Sequence, residues 1–150
     1  MTARANMLHA AFLAGSAFTK SYVGYVHAVA HSLGGKYNVP HGLANAVLLP
    51  YVLEDYGEAV YGSLFRLAMA AGVAEETDTP RVGAEKFIQA IKDMKKRLNI
   101  PETVPEIRRE DIPQLARYAD KEANPLYPVP RLMNARELER FYYAVMEERA

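Results

Sequence analysis

The sequence predicts an all-α fold, a single domain built as a helical bundle, on three observations. Apolar residues return at three- and four-residue steps, most clearly in Phe87, Ile88, Ile91, Met94 and Leu98. Helix-opening signals recur: Thr79 before Pro80, Asp111 before Ile112-Pro113, and Asn134 with Glu137 three positions on. No run alternates apolar and polar residues well enough to form a strand, and no internal repeat is visible. At 150 residues the chain suits one domain with a real core, spanning 1–150 without a linker.

Taken in order, Thr2 caps a first helix rich in Ala, Leu, Met and Phe that runs to about residue 18. The second helix carries Tyr25 to Leu33 and stops at Gly34-Gly35, where left-handed backbone costs little. A third starts near His41, and Pro50 should kink or restart it. A fourth spans "EAVYGSLFRLAMAAG" and ends at Gly72. Thr79-Pro80 opens the fifth, "RVGAEKFIQAIKDMKKRL". After the loop "NIPETVPEI", Asp111 caps "IPQLARYADKEA". "NPLYPVPRL" holds three prolines and reads as extended surface chain. Asn134 and Glu137 form a capping box for "ARELERFYYAVMEER". The total is about six to eight helices. The first two are apolar almost all round, so they are either the hub of the domain or short of their cover.

Half the residues are hydrophobic and 24% are charged, as in an ordinary globular domain. The formal net charge of +0 gives no pull toward nucleic acid or an anionic membrane. No apolar run is long enough to cross a bilayer, and Arg4, Asn6 and His9 interrupt the opening stretch that might pass for a signal peptide. The absence of cysteine excludes disulfides, thiolate metal sites and cysteine nucleophiles, and suits a reducing, cytoplasmic setting.

Three of the four histidines, His27, His31 and His41, fall within "HAVAHSLGGKYNVPH". His27 and His31 are four apart, hence one turn apart on one helix face. His41 follows a double glycine and a loop, and a helix–loop–helix can fold it back toward His27. His9, on the first helix, would lie about 27 Å along a continuous axis and is no partner. "HAVAH" lacks the glutamate of the zinc-protease H-E-x-x-H motif. Three imidazoles without a thiolate suit zinc, iron or another borderline ion. Histidine also packs and caps, so a metal centre and a packing role both stay open on these residues alone.

The stretch Gly24-x-x-His27-x-x-x-His31-x-Leu33-Gly34-Gly35-x-x-x-x-Pro40-His41-Gly42-x-x-Asn45-Ala46-x-x-Leu49-Pro50 resembles the signature of the iron-containing, or group III, alcohol dehydrogenases. The likeness runs upstream through "ARANMLHAAFLAGSAF" and downstream through "EDIPQLARYADKEANP". It implies an oxidoreductase that interconverts alcohols with aldehydes or ketones using NAD or NADP and a divalent metal, usually Fe(II), sometimes zinc. In that family an N-terminal α/β domain binds the nucleotide and a C-terminal all-α domain holds the metal. By position, His27 and His41 match two metal ligands. His31 matches a non-ligand histidine beside the nicotinamide that relays a proton, and so both a catalytic and a cofactor-contacting position. Phe18 resembles an apolar residue of the alcohol pocket.

The resemblance also implies what lies elsewhere. The family's other two ligands, an aspartate and a histidine four residues apart, belong to an earlier helix, and the sequence contains no glycine-rich phosphate loop. The expectation is the C-terminal portion of such an enzyme, inactive alone, whose apolar first helices meet the N-terminal part. Uncovered apolar surface would favour a homo-oligomer. The competing reading is a self-sufficient, non-catalytic helical metal-binding or interaction protein.

Overall fold

The computed structural model describes residues 1–147. Among them are seven α-helices and no strand: α1 (Thr2–Ser21), α2 (Tyr25–Tyr37), α3 (His41–Tyr56), α4 (Glu58–Ala70), α5 (Pro80–Arg97), α6 (Ile112–Ala123) and α7 (Ala135–Val145). A 3₁₀ turn, Arg109–Asp111, leads into α6. The fold is all-α, as the apolar spacing predicts.

The hub is α2. It packs on α3 and α6 and touches α7, and it buries Tyr25, Ala28, Val29, Ala30, Ser32 and Leu33. The pairs α4–α5 and α6–α7 close the two sides. The first helix behaves differently. No residue of α1 is buried, and Met7, Leu8, Phe12 and Leu13 are all more than half exposed. Of the two alternatives for the apolar N-terminal helices, α2 is therefore the hub and α1 lacks cover.

Several boundaries move from their expected places. The N-cap position of α1 is Met1, so Thr2 does not cap it. The second helix does not stop at Gly34-Gly35 but continues to Tyr37. It ends at Asn38, left-handed at φ 57°, whose N–H bonds to Gly34 O at 2.9 Å. The last turn is held from outside, which outweighs the helix-weakening glycines. Tyr37 Oη donates to Asp111 at 2.8 Å, and Lys36 Nζ lies 3.1 Å from the same carboxylate. Asp111 therefore spends its side chain on α2 and makes no cap bond to α6.

Pro50 sits inside α3 without restarting it. The α5 stripe also shifts: Ile88 is buried, while Met94 and Leu98 are more than half exposed and Lys95 is buried in their stead. Lys95 Nζ donates to Val47 O at 3.3 Å, so its long stem packs while its head finds a carbonyl. The final helix ends at Val145, short of the expected "MEER", because Val104 N–H bonds to Val145 O at 2.7 Å and Val104 pairs with Met146. Residues 148 and 149 of that expected helix lie outside the described residues.

Other signals stand where expected. Thr79 Oγ1 accepts from Val82 N–H, with Pro80 at the first helical position. Asn134 and Glu137 exchange both capping-box bonds, at 3.1 and 2.9 Å. No helix among the described residues is long and apolar enough to cross a membrane.

Candidate metal centre

Two helices and a three-residue loop build the cluster. Buried Ala28, Val29 and Ala30 press one face of α2 into the core, which leaves His27 half-buried and His31 exposed on the outer face. The chain leaves α2 at left-handed Asn38, and Pro40 takes the N-cap position of α3 with His41 as its first residue. Residues 38–40 turn His41 back over α2. Asn45, one turn on, donates from Nδ2 to His41 O at 2.9 Å and lies 3.2 Å from His41 Nε2.

All three imidazoles meet. Ring centroids are 5.3 Å apart for His27 and His41, 5.8 Å for His27 and His31, and 5.1 Å for His31 and His41. The Phe18 ring stands 6.4 Å from His27, at 51° to it. The approach of His41 to His27 runs across Asn38–Pro40 and not across Gly34-Gly35.

Burial lowers the His27 pKa from the ordinary histidine range, helped first by His41 and then by His31, while Glu122 opposes them weakly. The neutral imidazole is the form that binds metal. Two nitrogen donors on facing helices, one whose protonation its surroundings disfavour, fit a borderline divalent ion as part of its ligand set. Among the described residues, no three His, Asp or Glu side chains stand ready to hold an ion by themselves.

The sequence reading missed Glu122 on α6. Its Oε1 lies 2.6 Å from His31 Nδ1 and accepts from Tyr127 Oη at 2.7 Å. Burial and the bond to Glu122 push the Tyr127 phenol up to about 12, so it stays a donor. A cleft of about 440 Å³ runs beside this group, lined by His31, Ser32, Gly35, Lys36, Tyr118 and Glu122.

The α6 side of the cluster is anchored through Tyr25. Its hydroxyl donates to Asn124 Oδ1 at 2.8 Å and accepts from Met133 N–H at 2.9 Å, and Asn124 Nδ2 donates to Met133 O at 2.8 Å. Asn124 thus fastens the proline-rich segment to the start of the histidine helix.

This geometry lies within a chain whose residues 1–146 match the C-terminal part of the Fe-containing alcohol dehydrogenase family. The chain belongs to the iron-containing alcohol dehydrogenases. It is 37% identical over 150 residues to 1,3-propanediol dehydrogenase of Klebsiella pneumoniae, covering 95% of this chain and 37% of that protein. It is 38% identical over 125 residues to alcohol dehydrogenase 4 of Saccharomyces cerevisiae, covering 81% and 31%. The solved structure of an alcohol dehydrogenase from Oenococcus oeni superimposes with a TM-score of 0.87 at 34% identity, over 96% of this chain and 38% of that one. This family member spans little more than a third of the length of the relatives it matches.

Proposed function

We propose that residues 1–150 form the metal-binding C-terminal part of an NAD- or NADP-dependent alcohol dehydrogenase that interconverts alcohols with aldehydes or ketones. The observation that carries this is the convergence of His27 and His41, 5.3 Å between ring centroids, inside a chain of this family. When bound, Fe(II) or zinc supplies Lewis-acid polarisation of the substrate oxygen, and NAD or NADP takes or gives the hydride.

The chain's own residues have separable tasks. His27 and His41 each offer one imidazole nitrogen to the ion, with the remaining ligands outside this chain. His31, fixed to Glu122, moves the substrate proton and borders the nicotinamide. Phe18 walls the alcohol side of His27 with an apolar ring. The exposed apolar side of α1 meets the N-terminal α/β part of the enzyme, which carries most of the nucleotide site. The protein acts in the cytoplasm as a homo-oligomer.

The test is a chimera in which residues 1–150 replace the matching C-terminal segment of the Klebsiella propanediol dehydrogenase. The folded, metal-loaded chimera should oxidise short alcohols with NAD or NADP. His31→Ala should keep the metal and slow turnover by about 100-fold to 10,000-fold, the usual contribution of a positioned proton carrier. A folded, metal-loaded chimera with no turnover contradicts the proposal.

A further inference from the structure

We propose that Glu122 is a positioning residue for His31: its carboxylate holds the neutral ring as the Nδ1–H tautomer, which leaves Nε2 as the nitrogen that exchanges a proton with substrate. This rests on the reading of His31 as the proton-moving group.

The argument begins with donor arithmetic. An ionised carboxylate only accepts hydrogen bonds, so a 2.6 Å contact between His31 Nδ1 and Glu122 Oε1 places the proton on Nδ1. A neutral imidazole has one donor nitrogen and one acceptor, so Nε2 then carries the lone pair. A free histidine side chain favours the opposite tautomer, and the state at His31 is therefore imposed by its partner.

Glu122 is itself held. Tyr127 Oη donates to the same Oε1 at 2.7 Å, so that oxygen receives two bonds and its direction is fixed from both sides. Tyr127 is in turn tied to the end of α6, its N–H bonding to Ala123 O at 2.7 Å. On the other side α2 fixes His31, because the next residue, Ser32, is buried with its Oγ 2.6 Å from Tyr142 Oη. The ring of an otherwise exposed histidine is thus clamped between two packed helices. A proton carrier gains most from such a fixed direction, since transfer needs the acceptor atom within hydrogen-bond reach of the reacting group. The cleft lined by Gly35, Lys36 and Tyr118 opens this pair to solvent.

The experiment reads the ring nitrogens of the ¹⁵N-labelled chain by long-range ¹H–¹⁵N correlation, at a pH where all four imidazoles are neutral. His31 is assigned from the spectrum lost in His31→Ala. The expected result is a protonated Nδ1 and a bare Nε2 at His31 in the wild type. Glu122→Gln keeps an acceptor oxygen and should keep this tautomer, whereas Glu122→Ala should return His31 to Nε2–H. A wild-type His31 that is already Nε2–H, or an Nδ1–H tautomer that survives in Glu122→Ala, overturns the proposal. The wild-type measurement decides even where a variant folds poorly. No metal, nucleotide or turnover enters the readout, so a catalytically dead chimera would sink the enzyme reading and leave this result standing.

Discussion

His27 is the residue where burial and the proposed metal-binding role pull the same way. Its surroundings resist protonation, because the site is partly desolvated and two other imidazoles stand within 6 Å of its ring centroid. The unfolded chain has no such resistance and takes up a proton near the ordinary histidine value of about 6.5. Below that pH the unfolded state binds more protons than the native state, so stability falls as pH falls; above it, His27 contributes no slope. Urea unfolding of the metal-free chain should show a midpoint that drops as pH falls below about 6.5, with a smaller drop in His27→Gln. Asp78 and Asp111 have pKa values lowered by hydrogen bonds, to Glu75 N–H and Lys86 and to Tyr37 and Lys36 respectively, and act in the separate carboxylate range. An equal midpoint shift in wild type and His27→Gln would show that His27 is not protonated preferentially on unfolding.

Helix ends and helix contacts carry a second group of consequences. Helices α4 and α5 approach closely where a Cβ added at Gly83 would meet Phe65 Cδ2 at 2.1 Å. Gly83 is buried in the first turns of α5, and glycine here serves close approach, not an unusual backbone angle. Gly83→Ala should cost about 1–3 kcal/mol, as overpacking does, despite the better helix propensity of alanine. The capping box at Asn134 should be worth about 1 kcal/mol, read from thermal or urea unfolding of Asn134→Ala. A neutral Gly83→Ala would mean that α5 can slide away from α4.

At this scale the sequence was most legible where a signal is local. Thr79-Pro80, the Asn134–Glu137 box and the helix periods required no knowledge of distant residues. Gly34-Gly35 misled because the force that extends α2 comes from Asp111, 74 residues beyond Tyr37. Asp111 looked like a cap for the same reason in reverse.

For the whole molecule, α1 is the element the local sequence explains least. Its apolar composition matches that of α2, yet α2 is the hub and α1 buries nothing. Amphipathicity cannot separate the two, because neither presents one apolar stripe. The candidate site divides in the same way. The three histidines were legible from spacing and from the family signature; Glu122 was not, since 91 residues separate it from His31 and its motif contains no recognisable catalytic pattern.

An exposed helix with Met7, Leu8, Phe12, Leu13 and Phe18 on its surface should drive association of the isolated chain. Sedimentation should show concentration-dependent oligomers that disappear when residues 1–21 are removed. A sharp monomer at high concentration would argue that α1 needs no cover. The isolated chain should also show no NAD(P)-dependent alcohol oxidation with added Fe(II), because hydride transfer requires a positioned nicotinamide.

The central claim is that His27 and His41 share one ion while His31 stands beside it. Metal analysis of the folded chimera and its three single variants tests this most directly. His27→Ala and His41→Ala should each lose most of the bound metal, and His31→Ala should retain it, since only the first two remove a ligand. Loss in His31→Ala with retention in His27→Ala would exchange their roles, and full retention in all three would make the cluster a packing feature and contradict the account.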